Sequence, residues 1–145
     1  ESLKLKSQIQ LCNPSPSSWG QGGFHNYWLN DSNAWIVNEW SKAGRAMVNI
    51  CSVGKFQQSD MKIIKQAARE LLLCQSSDWS FILKAGTTTE LAKERINTHL
   101  KRFWILINSI KDQKIIDSIV LERIEKEDCI FPLISPIDWK KKVEI

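Results

Sequence analysis

Trp19, Trp28, Asp78 and Trp79 are the residues whose types and surroundings could do chemistry. The first two lie in Ser17-Ser18-Trp19-Gly20-Gln21-Gly22-Gly23-Phe24-His25-Asn26-Tyr27-Trp28, with three glycines within four positions between them. Glycine inside a regular element costs roughly 0.5–1 kcal/mol relative to alanine, so this run is a loop. A loop that carries Trp19, Phe24, Tyr27 and Trp28 commits apolar area that only a ligand, a partner or the chain's own core can cover. At an element junction an indole can keep one face open to stack on a pyranose ring while its N–H finds a polar partner. Trp19, Trp28 and Trp79 all fall at such junctions. Asp78 interrupts an apolar region between Ser77 and Trp79, where its carboxylate can accept hydrogen bonds from sugar hydroxyls. Plainer roles satisfy the same residues: the aromatics as a lid over the core, and Ser77 or Asp78 as the cap of a short helix.

Other chemistries are absent from the pattern. Ser-His-Asp or Cys-His catalysis needs a base held against a nucleophile, and neither His25 nor His99 has such a setting. The glycine run lacks the lysine and preceding strand of a phosphate loop. Cys12, Cys51, Cys74 and Cys129 are far apart, which leaves no metal-ligand spacing and fits free thiols in a reducing, cytoplasmic setting. No cofactor is implied. Glycosidic cleavage by the usual route needs two facing carboxyl groups, about 5–5.5 Å apart in retaining enzymes. Most acidic residues here are expected on helix surfaces with basic neighbours instead, as Glu70 beside Arg69 and Glu94 beside Arg95.

Composition sets outer bounds. At 145 residues, 43% apolar and 25% charged, the chain is one ordinary globular domain. The net charge of +4 is interleaved rather than focused, with Lys140-Lys141-Lys142 the most compact cluster, so nucleic acid is not an expected partner. No apolar run approaches the roughly 20 residues of a membrane span. The start, Glu1 to Lys6, lacks a secretory apolar core and an initiator methionine, which suggests a piece of something longer.

The elements that must position the candidate residues are helices. Ile36, Trp40, Ala43, Met47 and Ile50 share one helical face, predicting a helix from about Asn33 to Cys51 with Asp31 or Ser32 as N-cap and Gly54 at its end. Met61, Ile64, Ala67, Ala68, Leu71 and Cys74 predict a second helix, capped by Ser59 or Asp60 and central in a bundle. Trp79, Ile82 and Leu83 predict a short third helix stopped at Gly86. Thr87 and Glu90 have capping-box spacing before a long helix striped by Ala92, Ile96, Leu100, Phe103, Ile107 and Ile110 to about Lys111. Ile115, Ile116, Ile119, Val120 and Ile124 support a last helix, and Phe131–Pro136 is too proline-broken to continue it. Trp40 and Trp104 are expected in the core, Trp35 toward the loop and Trp139 against the bundle. The predicted fold is all-α: an antiparallel bundle of four to five helices with an N-terminal Gly/Trp-rich loop. Within this single domain, 1–31 is loop-rich, 32–127 is the bundle and 128–145 an irregular tail.

Several compositionally odd segments occur together and in order. Ser17-Ser18-Trp19-Gly20-Gln21-Gly22-Gly23 precedes Trp28-Leu29-Asn30; Ala67-Ala68-Arg69-Glu70-Leu71-Leu72-Leu73 runs into Gln75-Ser76-Ser77-Asp78-Trp79; Phe81-Ile82 and Gly86-Thr87 follow. This series resembles the C-terminal helical domain of glycoside hydrolase family 57 α-1,4-glucan branching enzymes over about residues 14–107. The resemblance implies an incomplete (β/α) barrel elsewhere that carries a glutamate nucleophile and an aspartate acid/base, with the helical domain closing over the cleft. It implies that Trp19 and Trp28 belong to the glucan-binding site and that Asp78 and Trp79 lie near it. The expected partners are α-1,4-glucan chains and the catalytic barrel. Because the barrel's two carboxylates have no counterpart here, this chain alone is expected to catalyse nothing, whether it is an excised domain or a separate subunit. The rival expectation is a non-enzymatic helical module whose aromatic loop docks onto a protein.

Overall fold

The computed structural model describes residues 12–53 and 56–140. Gly54, Lys141, Lys142 and the Glu1 to Lys6 segment lie outside the described residues. Five α-helices follow the loop: α1 (Ala34–Val53), α2 (Gln58–Cys74), α3 (Ser77–Ala85), α4 (Thr89–Lys111) and α5 (Ser118–Glu127). Short 3-10 turns occur at Gln21–Gly23 and Pro136–Trp139. There is no strand among the described residues, and the all-α expectation holds.

The apolar stripes build the core as their spacing requires. Ile36, Met47, Ile64, Leu71, Ile96, Phe103 and Ile107 are sealed from solvent. Trp40, Ile50, Trp104, Ile110 and Trp139 pack half-buried on this core, whereas Trp35 is exposed. The main interface is between α2 and α4. They run antiparallel: Ile63 near the start of α2 meets Ile110 near the end of α4 across one groove, and Glu70 meets His99 farther along. α2 also touches α1, α5 and the Pro136–Trp139 turn, which makes it the central helix.

Helix starts depart from the sequence reading more than helix bodies do. Asn33 immediately precedes α1, so Asp31 and Ser32 lie too early to cap it; Ser32 instead donates its N–H to Asn30 Oδ1 at 3.0 Å. Asp60 works from inside α2, accepting the Gln57 N–H at 3.2 Å. Ser76, rather than Ser77 or Asp78, holds the N-cap position of α3. The Thr87–Glu90 capping box does not form. Gly86 (φ 76°) and Thr88 (φ 45°) both turn left-handed, the helix begins at Thr89, and Glu90 pairs with Lys93 at 2.8 Å. Gly86 still stops α3 as expected, its N–H reaching Ile82 C=O at 3.0 Å.

The last helix is shorter than its isoleucines suggested. Asp117 accepts the Ile119 N–H at 2.8 Å and starts α5 there, leaving Ile115 in the preceding linker, 100% exposed. Ile119 is 75% exposed, and Leu121 and Ile124 make the buried face. After α5 the chain returns to the core, burying Ile134 and Pro136.

Candidate functional site

The glycine-rich loop has a defined path. Gly20, Gly22 and Gly23 all have positive φ, and the Ser18 N–H closes a turn on Gly23 C=O at 2.7 Å. At Gly20 the requirement is double: φ is 104°, and an added Cβ would lie 2.8 Å from the Tyr27 ring. The His25 N–H donates to Ser18 Oγ at 2.5 Å. The Trp28 and Leu29 N–H groups both return to His25 C=O, at 2.8 and 2.9 Å. These bonds fold the loop into consecutive tight turns that bring Trp19 and Trp28 to the same place.

Four rings meet there. Trp19 and Trp28 have centroids 6.3 Å apart and planes tilted by 44°. Trp19 also lies 5.6 Å from Tyr27. Phe81 of α3 joins all three: 5.2 Å from Tyr27 in a stacked geometry, 6.0 Å from Trp19 and 6.3 Å from Trp28. Offset and tilted pairs at these separations are attractive beyond the area they bury. Trp19 remains 67% exposed, while Tyr27, Trp28 and Phe81 are half-buried. The result is an open aromatic surface braced from below.

The other two sequence candidates sit on the adjoining helix start. Asp78 is exposed and accepts the Ser76 hydroxyl at 3.2 Å. It precedes Phe81 by three positions, the spacing of neighbours on one helix face. Trp79 is half-buried on the core, and its indole N–H donates to Leu73 C=O at 2.9 Å, which joins α3 to the end of α2. Trp19 and Trp28 thus touch through the ring group, whereas Trp79 is bonded to the bundle.

A second cluster corrects the expectation that Glu70 lies on a helix surface: it is fully buried, with its carboxylate turned to partners between α2 and α4. Glu70 of α2 and His99 of α4 bond at 2.8 Å (Oε2 to Nδ1), and Asp128 after α5 lies 3.6 Å from the same nitrogen. Gln66 donates to Glu70 at 2.9 Å, and Arg102 donates to Asp128 at 2.5 Å and to Glu127. Burial is the largest influence on Glu70 and pushes its carboxyl up; hydrogen bonds from His99 and Gln66 oppose this, and Asp128 adds to it. Glu70, His99 and Asp128 bring ligand-type atoms within 4.8 Å of one another. Glu70 and Asp128 already face His99 and Arg102, so the arrangement is a closed ion network rather than an open cation site. The 29-residue gap between Glu70 and His99 hid it from any local motif.

A concavity lies away from the rings. A groove of about 720 Å³ opens between Phe56, Ile63, Ile110, Ile116 and Leu121. Those residues mark the start of α2 and the end of α4, whereas the rings sit at the start of α1 and on α3. At about 1.5 Å per residue, α1 alone separates the two ends by roughly 30 Å.

Residues 39–139 match the family model described as 1,4-alpha-glucan branching enzyme, C-terminal. The chain belongs to this family. It is 35% identical over 129 residues to the 1,4-alpha-glucan branching enzyme TK1436 of Thermococcus kodakarensis, covering 85% of this chain and 18% of that enzyme. The structure of TK1436 in complex with glucose superposes with a TM-score of 0.81 at 27% identity, over 98% of this chain and 27% of that one. The GH57-type branching enzyme of Pyrococcus horikoshii gives a TM-score of 0.77 at 30% identity, over 85% and 24%. The α-amylase AmyC of Thermotoga maritima gives 0.74 at 26%, over 99% and 26%. This branching-enzyme domain therefore spans about a quarter or less of its relatives' length. The family match begins at Glu39, so it takes in Asp78, Trp79 and Phe81 of α3 while Trp19, Tyr27 and Trp28 of the loop lie before it. Among the described residues, no helix of the domain is long and apolar enough to cross a membrane.

Proposed function

We propose that this domain supplies an aromatic wall to the glucan-binding cleft of a branching enzyme whose catalytic barrel is a separate part. The single observation that carries the reading is the exposed Trp19 indole held against Trp28 by Phe81. Such a surface offers flat apolar faces to the ring C–H groups of glucose, while the nearby carboxylate of Asp78 offers acceptors to its hydroxyls. Trp79 contributes by fixing the helix start that carries Asp78.

The bond chemistry belongs to the barrel's glutamate and aspartate. The role of Trp19 and Trp28 is to hold an α-1,4-glucan chain in place and exclude water, which favours transfer to an acceptor hydroxyl over hydrolysis. In this reading the protein acts in glycogen biosynthesis in the cytoplasm. Residues 1–31, 32–127 and 128–145 work as loop, bundle and tail of one domain.

Phe24 and Leu29, exposed beside the rings, favour one other reading, a loop that docks onto protein. Replacing Trp19 and Trp28 with alanine in the enzyme joined to its barrel separates the two. Loss of chain transfer with the assembly intact supports the glucan surface; loss of assembly before any loss of transfer supports docking.

A further inference from the structure

Asn33 is fully buried, a rare place for a polar amide, and it lies where the aromatic loop enters α1. Its Oδ1 accepts the Asn30 N–H at 2.8 Å. Its Nδ2 donates to Tyr27 C=O at 3.0 Å and to Ser80 C=O at 3.2 Å. The first two bonds close the last turn of the loop; the third crosses 47 residues to α3.

The partners are informative. Tyr27 C=O belongs to the peptide that leads into Trp28, and Ser80 C=O to the peptide that leads into Phe81. One side chain therefore clamps the backbone ahead of Trp28 to the backbone ahead of Phe81. Only an amide of this length offers two donors and an acceptor in that fork; aspartate lacks the donors, and glutamine displaces them by a methylene.

We propose that Asn33 is the positioning residue of the aromatic surface, setting the separation of the Trp19–Trp28 pair from Phe81 and thereby its fit to consecutive glucose units. This rests on the carbohydrate reading above. Asn33 is sealed from solvent and touches no sugar, so it acts wholly through Trp28 and Phe81.

The test uses the full chain labelled with 5-fluorotryptophan, in wild-type, Asn33→Ala and Asn33→Gln forms, titrated with maltoheptaose. Single Trp→Phe changes assign the fluorine signals. Each Asn33 variant is expected to raise the maltoheptaose Kd about tenfold. The Trp19 and Trp28 signals should move before any sugar is added, while those of Trp104 and Trp139 stay in place. A uniform loss of stability would not select those two indoles. If Asn33→Ala does not fold, Asn33→Gln, which keeps both donors, decides. Affinity within about twofold of wild type in a folded variant, with the Trp19 and Trp28 signals unmoved, overturns the proposal. A wild-type chain that ignores maltoheptaose overturns the carbohydrate reading instead, and the sugar-free fluorine shifts still decide the role of Asn33.

Discussion

Tyr27 and Phe81 stack with centroids 5.2 Å apart and planes 17° from parallel, joining the glycine-rich loop to α3. Phe81 contacts Trp19, Tyr27 and Trp28 of the loop. Removing it should cost both order and affinity. For a half-buried phenylalanine, Phe81→Ala is expected to lower stability by about 1–2 kcal/mol, less than the cost at a fully buried site. Urea denaturation checks the loss, and maltoheptaose affinity should fall with it.

Gly20 faces the same stack from the loop side. Its φ of 104° and the 2.8 Å approach of a Cβ to Tyr27 mean that Gly20→Ala must shift the tyrosine ring or unfold the turn. A cost of about 1 kcal/mol or more is expected, with the melting temperature lowered and sugar affinity weakened. Gly86→Ala serves as the comparison: φ is 76° but nothing lies within 4 Å, so it should carry backbone strain without touching the rings.

The Glu70–His99 network predicts a sign for pH dependence. Burial holds the Glu70 carboxyl above its ordinary value of 4.5, so the folded chain binds this proton more tightly than the unfolded chain does. The contribution to stability is thus fully present below 4.5 and is lost as pH rises through the raised folded value. Glu70→Gln should remove this descending limb from a plot of urea midpoint against pH. A midpoint that rises with pH over the same window in wild type, and flattens in the variant, would reverse the assignment.

Thiol reactivity should divide the cysteines into two pairs. Burial pushes Cys51 up to about 11 and Cys74 up to about 12, so neither forms much thiolate near neutral pH. Cys12 and Cys129 are exposed. A thiol-specific chromogenic reagent should label Cys12 and Cys129 at once, and Cys51 and Cys74 only after denaturation.

Helix bodies were legible because the stripe Ala92, Ile96, Leu100, Phe103 and Ile107 repeats at the helical interval and is buried throughout. Starts were less legible, since a side-chain pair such as Thr87 and Glu90 cannot reveal that the backbone will turn left-handed at Gly86 before them and at Thr88 between them. Ile115 and Ile119 have the right spacing, yet periodicity does not say whether a partner surface will cover them. At the candidate site, Trp19 and Trp28 stood out by composition. The roles of Asn33, read only as the start of α1, and of Phe81, read only as part of a segment carrying the resemblance, were not legible, because they depend on contacts between α3 and a loop some 50 residues earlier in the chain. Glu70 and His99 were separated in the same way.

The most direct test of the central claim is an indole N–H shift map of the chain titrated with maltoheptaose. The aromatic-surface account predicts that the Trp19 and Trp28 cross-peaks move progressively and saturate together, while those of Trp40 and Trp104 do not respond. Saturating sugar that leaves Trp19 and Trp28 unmoved, or that moves only indoles outside the ring group, would contradict it.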